Sequence, residues 1–149
     1  MAEFAALTGN RRIEFLELHW PQVIASEVRL IRGKQRGKQV VEAIGISPAL
    51  ADLLKRLRTL VTDDRLGAVF PNRHGNLYTE QGFKAMWSKL VARSLKEEVI
   101  DRRFTFHELR AYHVTQHKTQ RGTLPDLHAN SGTTARIYDR TKEVKRRAV

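Results

Sequence analysis

With 149 residues, 41% of them hydrophobic and 29% charged, the chain is long enough to bury one core and too apolar to stay disordered. It has no cysteine, which excludes disulfides and thiolate metal sites, and no apolar run nears the roughly 18–20 residues that span a bilayer. The N-terminus lacks the basic-then-apolar order of a signal peptide, and the lack of cysteine is compatible with a reducing cytoplasm. Twenty-seven Lys and Arg against 16 Asp and Glu give a net charge of +11, which favours a polyanionic partner. Nucleic acid is the better partner than anionic membrane, because no stretch reads as a helix with one basic face and a broad apolar face opposite.

In chain order, an opening helix carrying Phe4 and Leu7 is expected to stop at the turn Thr8-Gly9-Asn10. Ile13, Leu16 and Trp20 recur at helical spacing, so a second helix is expected from Arg11 until Pro21 ends it. From Val23 to Ile46 the pattern turns to β. The runs Val23-Ile24, Val28 to Ile31 and Val40 to Ile44 predict a small three-stranded antiparallel sheet. Its hairpin tip is basic, with Arg32, Lys34, Arg36 and Lys38. Ser47 before Pro48 starts a helix with Leu50, Leu53, Leu54, Leu57 and Val61 on one face. Ala68 to Pro71 reads as a short extended piece and 72–76 as a loop. Thr79 then caps a helix that turns Phe83, Met86, Trp87, Leu90 and Val91 inward. Thr105 and Glu108 form a capping box for the next helix. Short helical pieces and a basic tail follow Gly122. The fold class is α+β, mainly helical, in one domain over 1–149.

Three stretches carry candidate chemistry. With Thr105 as the cap, His107 and Arg110 share one face of the first turns of a helix, where free N–H groups and the dipole already favour anions. An arginine there can grip two phosphate oxygens, and a histidine beside it can move a proton near neutral pH. Taken alone, a packed His and a solvated Arg explain the stretch better. Arg11 opens the second helix with Glu14 one turn on, which is either a surface ion pair or an arginine aimed at a ligand with Glu14 orienting the loop. Hairpin-tip lysines are usually solvated or touch phosphates; Lys34 or Lys38 could equally reach a leaving-group oxygen. Among the six histidines, His113 and His117 stand four apart with no glutamate as in H-E-x-x-H, so they read as ordinary helix residues, and no metal site is expected. His19 and His74 read the same way, and Trp20, Trp87 and Phe83 as core.

In order, Thr8-Gly9-x-Arg11-x-x-Glu14, the lysine hairpin around Lys34, His107-Glu-Leu-Arg110, and His128 through Thr133-Thr134 to Tyr138-Asp-Arg resemble the catalytic domain of the tyrosine recombinases, the phage-integrase family. The resemblance covers essentially the whole chain and implies that family's catalytic-domain fold. It implies a catalytic set of Arg11, Lys34, His107, Arg110, His128 and Tyr138, with Arg32, Arg36 and Lys38 on DNA. In that scheme Tyr138 attacks a phosphodiester to give a 3′-phosphotyrosyl link, and Arg11 and Arg110 clamp the equatorial oxygens. Lys34 protonates the leaving 5′-oxygen, His107 assists proton transfer at the nucleophile, and His128 bonds the phosphate. No cofactor, metal or ATP is implied. The implied partners are a double-stranded DNA recombination site and, in the full-length protein, three further copies in a tetramer; a bacterial or phage-encoded cytoplasmic protein fits. The resemblance leads to the expectation that the family's upstream core-binding domain is not part of these 149 residues and that 139–149 form a C-terminal tail. The competing readings are a DNA-binding prophage remnant without catalysis and a basic RNA-binding protein.

Overall fold

The computed structural model describes residues 1–32, 40–60, 67–127 and 131–139. Val61, the last apolar position expected on the Ser47-capped helix, lies outside them. In chain order the elements are α1 (Ala2–Thr8), α2 (Arg12–Phe15), a 3-10 turn (Trp20–Gln22), β1 (Glu27–Ile31), β2 (Val41–Gly45), α3 (Pro48–Leu60), α4 (Glu80–Lys96), α5 (Glu108–Arg121) and α6 (Ser131–Tyr138).

The core forms where the helices' apolar faces meet one side of the hairpin. Phe4, Phe15 and Phe70 make a triangle with ring centroids 5.3–5.4 Å apart. Phe106 extends it, 5.8 Å from Phe15, 4.9 Å from Phe83 and 5.0 Å from Trp87. Tilted and edge-on aromatic pairs of this kind add directional attraction to the apolar area they bury. Leu50, Leu53 and Leu54 of α3, with Val28 and Leu30 of β1, complete the cluster. A smaller second cluster joins Ala111 and Val114 of α5 to Leu127 and Tyr138.

Three expectations change. The second helix ends at Phe15 instead of reaching Trp20, because the backbone beyond it is used in pairing: Leu18 O accepts from Val69 N at 2.9 Å and Trp20 N donates to Gly67 O at 2.8 Å. Pro21 consequently lies inside the 3-10 turn, and Ile13 is 58% exposed. The sheet has two strands, not three; the run at Val23 contributes only an isolated bridge to Val28. On α4, Phe83 and Val91 are buried, but Leu90 is 46% exposed.

The junction of α1 and α5 is close. Gly9 caps α1 with φ 69°, and a β-carbon placed there would come 2.5 Å from Cδ2 of His113 on α5. Two penalties therefore coincide at Gly9, a left-handed backbone and a ring that a methyl group would strike. Gly9→Ala is expected to destabilise the protein by about 2–3 kcal/mol, seen as an earlier denaturant midpoint with an unchanged slope.

His113 Nδ1 lies 3.1 Å from the Ala6 carbonyl and, as a neutral donor, satisfies it. Burial pushes the His113 pKa below its ordinary value of 6.5. The unfolded chain therefore binds this proton more readily than the folded one. The resulting stability is present above the unfolded value and is lost as pH falls through it. The unfolding temperature should drop on acidification from about pH 7 to about pH 5, and His113→Gln should lessen that drop. An identical acid dependence in the variant would show that other groups carry it.

Candidate active site

Phe106 sets the position of the residue after it. Its ring sits in the aromatic cluster, so the turn that leads into α5 is nailed to the core and His107 stands exposed at its edge. Glu108 reinforces that turn: its Oε2 accepts from Thr105 N at 2.6 Å and from Thr105 Oγ1 at 3.0 Å. The helix itself begins at Glu108, with His107 as the N-cap. The Thr105–Glu108 pair expected as a capping box thus braces the turn before the helix.

Arg110 follows one turn later and is only 3% exposed. Its Nη1 donates to Gly9 O, and its Nη2 donates to Leu127 O at 2.9 Å. One guanidinium therefore ties the end of α1 to the segment that precedes α6. Burial, and then the nearby Arg11 guanidinium, draw the Arg110 pKa below its usual value; Glu14 and Tyr138 oppose the shift. The side chain remains cationic, since an arginine does not lose its proton in the neutral range.

Arg11 is held from its own helix. Its Nη1 contacts Glu14 Oε1 at 3.0 Å, and Glu14 Oε2 accepts from the Arg11 backbone N at 2.6 Å and from Asn10 Nδ2 at 3.3 Å. Glu14 is buried, so this carboxylate fixes the loop and the side chain together. Two guanidinium groups close enough to repel form a setting that a dianionic oxygen cluster would relieve.

Tyr138, the last residue of α6, closes the group. Its ring packs in the second cluster, and its Oη lies 2.7 Å from His107 Nε2. The Arg110 guanidinium carbon stands 5.4 Å from the centre of the same ring. Beyond the ring, Asp139 pairs with Lys118 Nζ at 2.8 Å, which fastens the end of α6 to α5. The arrangement is a phenol hydrogen-bonded to an imidazole, next to two guanidinium cations. It suits attack by the phenol oxygen on an anionic centre, with the proton passing to imidazole.

Four of the sequence-predicted residues, Arg11, His107, Arg110 and Tyr138, are brought together. Lys34, Arg36, Lys38 and His128 lie outside the described residues. Arg32, expected on DNA, points its Nη2 at Glu42 Oε1, 3.3 Å away, and at Asp126 O, 3.0 Å away. Sequence reasoning passed over Asn10 and Glu42. Strand alternation would have found Glu42, since it puts Glu42 on the same sheet face as Ile44. Among the described residues no group of three or more His, Cys, Asp or Glu is placed to hold a metal, and no helix is long and apolar enough to cross a membrane.

The sequence model of the phage integrase family matches residues 1–144, and no curated protein sequence matches the chain. In structure the chain is similar to a lambda integrase (residues 75–356) solved as a dimer bound to a COC′ core site, with a TM-score of 0.69, 18% identity, and coverage of 99% of this chain and 54% of that one. It is similar to the Tn1549 transposon integrase in complex with circular intermediate DNA, at 0.66 and 17% identity over 95% of this chain and 53% of that one. The XerH site-specific recombinase bound to palindromic difH substrate gives 0.63 and 22% identity over 90% and 39%. The chain thus has the fold of integrase catalytic domains and spans about half the length of the lambda and Tn1549 integrase chains compared above.

Proposed function

The chain belongs to the phage integrase family, and on that premise we propose that it is the catalytic domain of a site-specific DNA recombinase in which Tyr138 is the nucleophile. The Tyr138 oxygen bonds to the scissile phosphorus as the bond from phosphorus to the 5′-oxygen breaks. The phenol proton passes to His107 Nε2, and the leaving 5′-oxygen takes a proton from Lys34. Arg11 and Arg110 neutralise the non-bridging oxygens, and His128 adds a hydrogen bond to them. In the second half the 5′-hydroxyl of a partner strand attacks the phosphotyrosine and restores Tyr138, so the sequence needs no ATP or metal.

The observation that carries this reading is the 2.7 Å contact between Tyr138 Oη and His107 Nε2 beside the Arg110 guanidinium. A phenol is a poor nucleophile until its proton leaves; an adjoining imidazole gives that proton a destination as the bond forms, and two cations offset the charge it must approach. Double-stranded DNA is the substrate, with Arg36 and Lys38 as further phosphate contacts, and a tetramer on DNA is the assembly assigned to the full-length protein. We assign residues 1–149 to one catalytic domain with 139–149 as its tail.

The test is covalent capture. Nicked duplexes from a randomised pool are incubated with the wild-type chain in EDTA, denatured, and scored for protein-linked DNA. Adducts with a 3′-phosphotyrosyl link are expected. Duplexes bound but never linked would leave a DNA-binding domain without strand cleavage.

A further inference from the structure

The neck of the hairpin carries charge where a sheet packed on a core carries aliphatic side chains. Val28 and Leu30 are the buried positions of β1, and Arg32 is next on the same face. Across the ladder Ile44 faces Val28, and Glu42 faces Leu30. Arg32 and Glu42 meet at 3.3 Å with side chains only 15% and 16% exposed.

Neither charge ends there. Arg32 Nη2 also donates to Asp126 O at 3.0 Å, and Glu42 Oε2 accepts from Asn10 Nδ2 at 3.1 Å. The same Asn10 amide donates to Glu14 Oε2, whose carboxylate grips Arg11. At the other end, Asp126 precedes Leu127, whose carbonyl accepts from Arg110. Polar contacts, completed by the peptide bond between Asp126 and Leu127, thus run from one clamp arginine to the other across the neck of the hairpin.

We propose that Arg32 and Glu42 are positioning residues that hold Arg11 and Arg110 at the spacing a phosphate requires, in place of the DNA contact that the charge of Arg32 suggests. The proposal rests on the reading of those two arginines as a phosphate clamp. A half-buried ion pair is worth little as a source of stability, because desolvation offsets attraction, but it is geometrically restrictive. Removing the Glu42 charge leaves Arg32 uncompensated and takes one acceptor from Asn10, so the loop at 9–11 and the segment at 126–127 lose the tie across the hairpin and are joined through Arg110 itself. Misplacement of a clamp by an ångström is enough to slow a reaction substantially.

The experiment compares two duplexes captured by wild type, one with the natural phosphate and one with a methylphosphonate at the scissile position. The methyl group replaces a non-bridging oxygen and removes the charge that the clamp must neutralise. Glu42→Gln and Arg32→Gln should each slow single-turnover cleavage of the phosphate by about tenfold or more, with much of the deficit gone on the methylphosphonate and duplex binding nearly unchanged. Non-additive effects in the double variant are expected as well. An equal deficit on both substrates would mean general structural loss, and a deficit confined to binding would make Arg32 a DNA contact; either overturns the proposal.

Should wild type capture no duplex, the recombinase reading fails separately. The clamp is then probed with sulfate alone, followed at the side-chain N–H resonances of Arg11 and Arg110. Weaker sulfate binding in Glu42→Gln, with an unchanged unfolding temperature, supports the positioning role. Equal binding overturns it.

Discussion

Tyr138→Phe is expected to reduce covalent capture of nicked DNA to background while the protein remains folded and still binds duplex. The phenyl ring keeps every packing contact the tyrosine makes in the cluster with Ala111, Val114 and Leu127. What is lost is the hydroxyl and its 2.7 Å contact with His107, and His107 is exposed, so water replaces the missing partner. The stability cost is about 1 kcal/mol or less. Chemistry, by contrast, loses the atom proposed to form the bond to phosphorus, which phenylalanine cannot replace. The chain has three tyrosines, of which Tyr112 is 54% exposed on α5. Adduct formation that survives in the variant would therefore point to another nucleophile, and mass spectrometry of the linked peptide would locate it.

Arg110→Ala is expected to abolish capture and also to lower stability by about 3 kcal/mol. The motif alone suggests a catalytic arginine whose loss spares the fold. The structure gives it two backbone carbonyls, Gly9 O and Leu127 O, from segments far apart in the sequence. Truncation leaves both carbonyls short of a buried donor. Arg110→Lys separates the two roles. An ammonium keeps the charge but lacks the planar fork that spans two carbonyls, so part of the stability should return while cleavage stays at least about tenfold down. Thermal unfolding and single-turnover cleavage measured on the same preparations check this. Full activity in the lysine variant would show that only charge matters at this position.

Much of this site was legible from residue order. Arg11, His107, Arg110 and Tyr138 stand in stretches that resemble the motifs of that family; the fold brings His107 and Arg110 against Tyr138 and places Arg11 near Arg110. The helices with the clearest apolar faces, α3 and α4, were equally legible. The failures share a cause. Ile13, Leu16 and Trp20 satisfy helical spacing, yet the chain after Phe15 gains more by pairing Leu18 and Trp20 with residues 67–69. Periodicity reports which residues are apolar and not which distant backbone competes for their hydrogen bonds. Glu42 was missed because its charge suggests a solvent-facing position, although alternation puts it on the same sheet face as Ile44 and the ladder sets it opposite Leu30. Arg32 was read by its charge, whereas its partners, Glu42 and the Asp126 carbonyl, come from other parts of the chain.

The double engagement of Arg110 bears on how such a domain would decay. In a chain released from selection for strand cleavage, substitutions that spare the fold accumulate first. The hydroxyl of Tyr138 and the ring of His107 belong to that class, because removing the hydroxyl leaves the packed ring in place and His107 is exposed. Arg110 does not, since drift at that position is purged by misfolding whether or not DNA is ever cut. Arg110 is therefore a witness to folding. Testimony about catalysis comes from the phenol and the imidazole, and this sequence retains both.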